Sequence, residues 1–125
     1  MKFFFIPTLV ASMILLTLGA CNQKKEKTCS LIAVSLEGPS VTMTITFKAV
    51  QTGDGVIETL TYTTSSGVVT VHNPGLPWAV TAEALARTPI SIVASGTVKS
   101  GSLKISYEGS SGGNEIQGSD YCSQE

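Results

Sequence analysis

The chain predicts an all-β domain, a two-sheet sandwich of about seven antiparallel strands. Three observations predict it. Residues 41–49, "VTMTITFKA", alternate apolar and polar without a break, the period of a strand with one face buried. Short β-branched runs recur between the turn-forming stretches "EGPS", "QTGDG", "SSG" and "KSGS", as a meandering sheet requires. No segment carries the long 3.6-residue periodicity of a helical or βαβ fold. A small open barrel is the alternative closure.

Each element follows in order. Cys29 to Leu36 is strand-like and ends at "EGPS". In the next strand Val41, Met43, Ile45, Phe47 and Ala49 share the inward face, while Thr42, Thr44, Thr46 and Lys48 share the other. "QTGDG" reads as a hairpin turn, with Asp54-Gly55 tolerating positive φ. The return strand runs from about Val56 to Thr64 with Leu60 and Tyr62 inward. Ser65 to Gly67 turns the chain into Val68 to His72. Residues 80–87, "VTAEALAR", contain helix formers but lie between Trp78 and Pro89. An extended edge strand or crossover is expected there, two turns of helix being the alternative. Pro89 to Val98 points Ile90, Ile92 and Ala94 inward, and "KSGS" leads into a strand with Leu103, Ile105 and Tyr107 on one face. Gly109 to Gly113 reads as a loose loop, followed by a short last strand from about Glu115 to Cys122.

The front of the chain is a different kind of sequence. Met1-Lys2 is a basic start, and residues 3–20 carry no charge and end in small residues, the pattern of a secretory signal peptide. Leu18-Gly19-Ala20-Cys21 resembles the bacterial lipobox, in which the cysteine takes a diacylglycerol thioether and cleavage falls just before it. The expected partner is therefore the membrane, reached through acyl chains on Cys21, because two or more chains anchor stably where one does not. The alternatives are an ordinary signal peptide cut at Ala20 and a retained membrane helix. Asn22 is not the aspartate that marks inner-membrane retention, so the outer membrane is the expected location, on its periplasmic or surface face. The resulting division is a leader at 1–20, a lipidated polar tether at 21–27 ("CNQKKEK") and a folded domain at 28–125.

Cys29 and Cys122 remain, at opposite ends of the domain. In an oxidising envelope a leftover pair suggests a disulfide, the alternative being two reduced structural thiols. A bridge closing nearly the whole domain would help a fold with few large aromatics to fill its core.

Composition excludes more than it assigns. The net charge is -1, and the leader removes one lysine more. No basic patch with interleaved aromatics supports nucleic-acid binding. The single histidine, His72, lies on the solvent side of its strand by the period-two count and cannot build a metal cluster alone. Asp54 reads as a turn former, since the twelve-residue oxygen spacing of a calcium loop is absent. Neither a phosphate-binding glycine loop, a CxxC pair nor a nucleophile elbow occurs. Glu58, Glu83, Glu108 and Asp120 are carboxylates that nothing pairs across a substrate. No enzyme activity, cofactor or metal is expected.

Two surfaces stand out as candidates. Leu76-Pro77-Trp78 contains the only tryptophan, either a structural plug with Pro77 fixing its approach or an exposed anchor for a partner. Thr42, Thr44 and Thr46, with Thr59, Thr61 and Thr63, form rows that either recognise something or simply keep a sheet face soluble. Exposed edges could accept another chain by β-augmentation.

The "LPW" corner after a strand and an "NPG" turn resembles the small membrane-associated MmpS proteins of mycobacteria, and small secreted or lipid-anchored Bacteroidetes proteins of that type. The resemblance runs from about Val41 to Cys122 through an alternating strand, a tyrosine-containing strand, "LPW", "ISIVASG", "GSLKISYEG" and a late cysteine. It implies an immunoglobulin-like β-sandwich outside the inner membrane. Mycobacterial members are accessory subunits of lipid or siderophore exporters. This chain has a lipobox where they have a transmembrane helix, so the fold carries over and the transport role does not. The functions expected are a binding or accessory module of an envelope assembly, a structural surface lipoprotein without a dedicated ligand, or a weak carbohydrate- or peptide-binding module.

Overall fold

The computed structural model describes residues 25–124. The leader expected at 1–20 and the residue expected to carry lipid, Cys21, lie outside the described residues. Eight strands follow one another: β1 (Lys27–Ser35), β2 (Met43–Gly53), β3 (Val56–Thr64), β4 (Gly67–His72), β5 (Trp78–Ala84), β6 (Ile90–Val98), β7 (Gly101–Ser111) and β8 (Asn114–Gln124). They form two four-stranded sheets, ordered β1-β6-β3-β4 and β5-β2-β7-β8, with every pair antiparallel. This is an immunoglobulin-like β-sandwich, cross-linked by a disulfide between Cys29 and Cys122.

Alternation builds the core. Met43, Ile45, Phe47 and Ala49 of β2 face Leu60 and Tyr62 of β3, Ile90, Ile92 and Ala94 of β6, and Leu103, Ile105 and Tyr107 of β7, all buried. Phe47 and Tyr62 bring their ring centroids to 5.2 Å across the two sheets, a separation at which tilted aromatic pairs attract. Val41 packs on this core from just outside β2. The "VTAEALAR" segment is extended through Ala84, as its pairing with β2 demands: Ile45 stands opposite Ala82 and Phe47 opposite Val80.

Three sequence expectations need correction. "QTGDG" is not a hairpin, because β2 and β3 belong to different sheets. The turn carries the chain from one sheet to the other, and its positive φ falls on Gly53 at 68°. The Gly109–Gly113 stretch is not a loose loop. β7 continues through Ser111, and the turn is confined to Gly112-Gly113, both at positive φ. The last strand is eleven residues, not a short one, since β8 pairs with β7 along its whole length.

The strand orders hide a symmetry. Advancing every strand number by four converts β1-β6-β3-β4 into β5-β2-β7-β8. The chain is thus two equivalent halves, β1–β4 and β5–β8, that exchange their second strands. The sequence repeats accordingly. Ile45, Phe47, Ala49, Leu60 and Tyr62 match Ile90, Ile92, Ala94, Ile105 and Tyr107, each forty-five residues later. "YTTSSG" at 62–67 likewise matches "YEGSSG" at 107–112. A register shift in β3 between Ile57 and Thr59 sets Ile57 against Leu103 instead, because a bulge adds one residue to one strand only.

The two sheet-crossing corners, β2–β3 and β6–β7, are equivalent under this symmetry and are clamped together. Asp54 Oδ1 accepts hydrogen bonds from the backbone N–H groups of Lys99 (2.9 Å) and Ser100 (3.0 Å). Those bonds, Ser100's first, hold the Asp54 carboxyl below the usual aspartate range, since they favour its charged form.

Candidate interaction surface

Four sheet edges and two outer faces are what this fold can offer a partner. Its buried face is closed: no buried side chain among the described residues is polar or charged. Among the described residues no three histidine, cysteine, aspartate or glutamate side chains gather where they could hold a metal ion. The carboxylates weighed from sequence stand apart: Glu58 on β3, Glu83 on β5, Glu108 on β7 and Asp120 on β8. Glu108 is paired with Lys48 at 3.2 Å on an exposed surface, and Asp120 accepts from the backbone N–H of Ile32 at 2.9 Å.

The tryptophan corner is part of the packing. Trp78 is half-buried against the core, its ring 5.5 Å from that of Tyr62. Leu76 is half-buried beside it, and Pro77 is exposed after a cis peptide bond. Phe47, Tyr62 and Trp78 thus form one aromatic series from β2 through β3 to β5. Tyr107 is buried as well, and that burial pushes its phenol up, partly countered by the Ser35 hydroxyl. Tyr121 is the exposed aromatic among the described residues, at 61%.

The threonine rows do not form one surface. Thr44 and Thr46 point out from the β5-β2-β7-β8 sheet, and the Thr42 hydroxyl accepts the backbone N–H of Ala86 at 3.1 Å. Thr59, Thr61 and Thr63 point out from the opposite sheet, on the far side of the molecule. Strand alternation assigns each row to the outer face of its own sheet, and the crossing at "QTGDG" puts those sheets on opposite sides.

The two outer faces differ in chemistry. That of the β5-β2-β7-β8 sheet carries Lys48, Glu83, Lys104 and Glu108. On the other sheet, register defines three cross-strand rows: Ser30–Ser95–Thr59–His72, Ile32–Val93–Thr61–Thr70 and Val34–Ser91–Thr63–Val68. None of these twelve residues is aspartate, glutamate, lysine or arginine. Ile32 (57% exposed) and Val93 are direct neighbours, flanked by exposed Val34 and by Leu36 just past the strand. A patch of adjacent apolar side chains among uncharged rows is a surface suited to another macromolecule. Sequence reasoning missed it, although the signal was present. Cys29, Leu31 and Ala33 fill the inward positions of β1, so the apolar Ile32 and Val34 occupy positions where a half-exposed strand ordinarily carries polar residues.

His72 is exposed at the end of one of these rows, as its alternation predicts. Compared with known proteins, the chain matches no family model, no curated protein and no solved structure.

Proposed function

We propose that this chain is a non-enzymatic, lipid-anchored protein of the bacterial outer membrane, tethered through Cys21, whose sandwich domain binds an envelope protein as an accessory module. The observation that carries the binding role is the apolar cluster on the outer side of the β1-β6-β3-β4 sheet, where Ile32, Val34 and Val93 are exposed together within three cross-strand rows that hold no charged residue. A solvated sheet face with no partner would gain solubility from the charges that the opposite sheet displays. The dispersed carboxylates and the lack of a metal-binding cluster among the described residues agree with a non-catalytic role. The lipobox and the likeness to MmpS proteins support a place in the envelope. The disulfide agrees with an oxidising compartment.

The test is a pull-down of full-length protein from detergent-solubilised native envelope, alongside Ile32→Lys and Val93→Lys variants shown to be folded by circular dichroism. A co-purifying envelope protein that both variants lose is the expected outcome. If the variants retain it, the face is not the binding surface. If wild type recovers nothing above background, the chain is a surface lipoprotein without a stable partner. Metabolic labelling with a palmitate analogue tests the anchor: wild type should incorporate it, and Cys21→Ala should not.

A further inference from the structure

Each sheet edge has unpaired backbone groups, and three of the four edges are protected. The β1 edge faces β8: Ile32 N–H is taken by Asp120, Lys27 Nζ donates to the Ser123 carbonyl at 3.0 Å, and the disulfide fastens the two strands together. The β8 edge is the other side of that same seam. On β5 the Glu83 carbonyl accepts the Ser65 N–H at 2.9 Å, and the strand carries the Glu83 charge. Such coverings and charges are how proteins keep edges from pairing with other chains.

β4 has no such protection. Asn73 N–H donates to the Glu58 carbonyl at 2.8 Å, which fixes the parity of the β3–β4 ladder. Val71, Val69 and Gly67 bond inward to β3, opposite Leu60, Tyr62 and Thr64, so the N–H and C=O groups of Val68, Thr70 and His72 point outward. Among the described residues no hydrogen bond reaches those groups. The strand reads Gly-Val-Val-Thr-Val-His, with no carboxylate, lysine or arginine, and Val68 is 66% exposed. Val69 is exposed and Val71 half-buried on the side facing the other sheet.

We propose that β4 is a homodimerisation edge, pairing antiparallel with β4 of a second copy about a two-fold axis through Thr70. The pattern favours a second copy because it is its own complement. The three outward residues are centred on Thr70, so Thr70 meets Thr70 while Val68 meets His72 in both directions. All six outward N–H groups then find carbonyls. Val69 falls beside the partner's Val71, so the apolar side chains left exposed at this edge cover one another. The other strand edges carry a charged residue, Glu83 on β5, Asp120 on β8 and Lys27 on β1. β4 carries no such residue. The dimer would join the two β1-β6-β3-β4 sheets into one eight-stranded sheet. This inference does not depend on the accessory role, since it uses the edge of the sheet and not its Ile32–Val93 face.

In this register the two Thr70 Cα atoms sit about 5.5 Å apart, within the range a disulfide spans. Full-length protein in mild detergent carrying Thr70→Cys is therefore expected to run mostly as a dimer on a non-reducing gel and to collapse to monomer on reduction. Ser119→Cys, on the outer face of β8, should stay monomeric under the same conditions. Chemical cross-linking of otherwise unmodified protein should give a dimer band that Thr70→Lys abolishes, with the circular dichroism spectrum unchanged. A Thr70→Cys protein that remains monomeric, or a Ser119→Cys protein that dimerises equally well, would overturn the proposal. So would a cross-linked dimer that survives Thr70→Lys.

Discussion

Gly118 is where a single absent methyl group matters most. It stands opposite Tyr107, and a Cβ there would come within 2.5 Å of the buried ring. Because the ring is enclosed by the core, it cannot swing aside. Gly118→Ala should therefore destabilise the domain by about 1–3 kcal/mol, the usual cost of overpacking, read as a lower urea midpoint with an unchanged slope. Asp54 makes a different kind of prediction. Its folded carboxyl is held below its ordinary value, so its contribution is full above the unfolded value, about 3.9, and is lost as pH falls through the folded one. Asp54→Ala should be less stable than wild type at neutral pH, with the gap narrowing in acid. A gap independent of pH would mean that the carboxylate does not clamp the two corners.

Strands were legible to the extent that they alternate. The inward residues that period two names on β2, β3, β6 and β7 are all buried, whereas Ile57 escaped it, because the bulge sets it three residues before Leu60. Which strand pairs with which was not legible. "QTGDG" has hairpin chemistry, and local turn propensity cannot distinguish a return within one sheet from a crossing to the other. The lengths of β7 and β8 were obscured for a related reason: Gly109 breaks the local β propensity but sits under Ile45 and Met43, where its missing Cβ gives their side chains room. The disulfide was legible from compartment and parity alone. Its elements give it weight, since it joins β1 and β8, edge strands of different sheets. Replacing Cys29 and Cys122 with serine should cost about 4–5 kcal/mol in the chain-entropy account, visible as a large drop in Tm. A change under ~1 kcal/mol would show that the Asp120 and Lys27 bonds hold that seam unaided.

At the scale of the whole molecule, the forty-five-residue repeat was present in the sequence and went unread. The bulge in β3 shifts its register by one residue, and matched positions carry the same apolar character more often than the same residue. Continuing the registers outward by two residues puts Leu76 where its symmetry mate is Cys29, and Asn73 where its mate is Cys122. The "NPGL" linker between the halves and the disulfide therefore occupy equivalent corners. The two ends of the described domain also meet at the disulfide corner, with Gln124 Nε2 donating to the Lys25 carbonyl at 2.6 Å. A circular permutant that begins at Gly75, joins Gln124 to Lys25 through a short linker and ends at Pro74 should fold, oxidise and unfold cooperatively. Failure to form the disulfide would show that the "NPGL" corner guides folding as well as connecting the halves.

The same bridge decides how the domain responds to force. A pull applied at Lys25 and Gln124 reaches Cys29 and Cys122 after a few residues and passes directly through the sulfur–sulfur bond. The residues between the two cysteines, which stand 93 apart in sequence, carry no tension. Under oxidising conditions the sandwich is therefore a load-bypassed passenger between its own ends, able to lengthen only by peeling its first and last few residues. Reduction would place both sheets in the line of the pull.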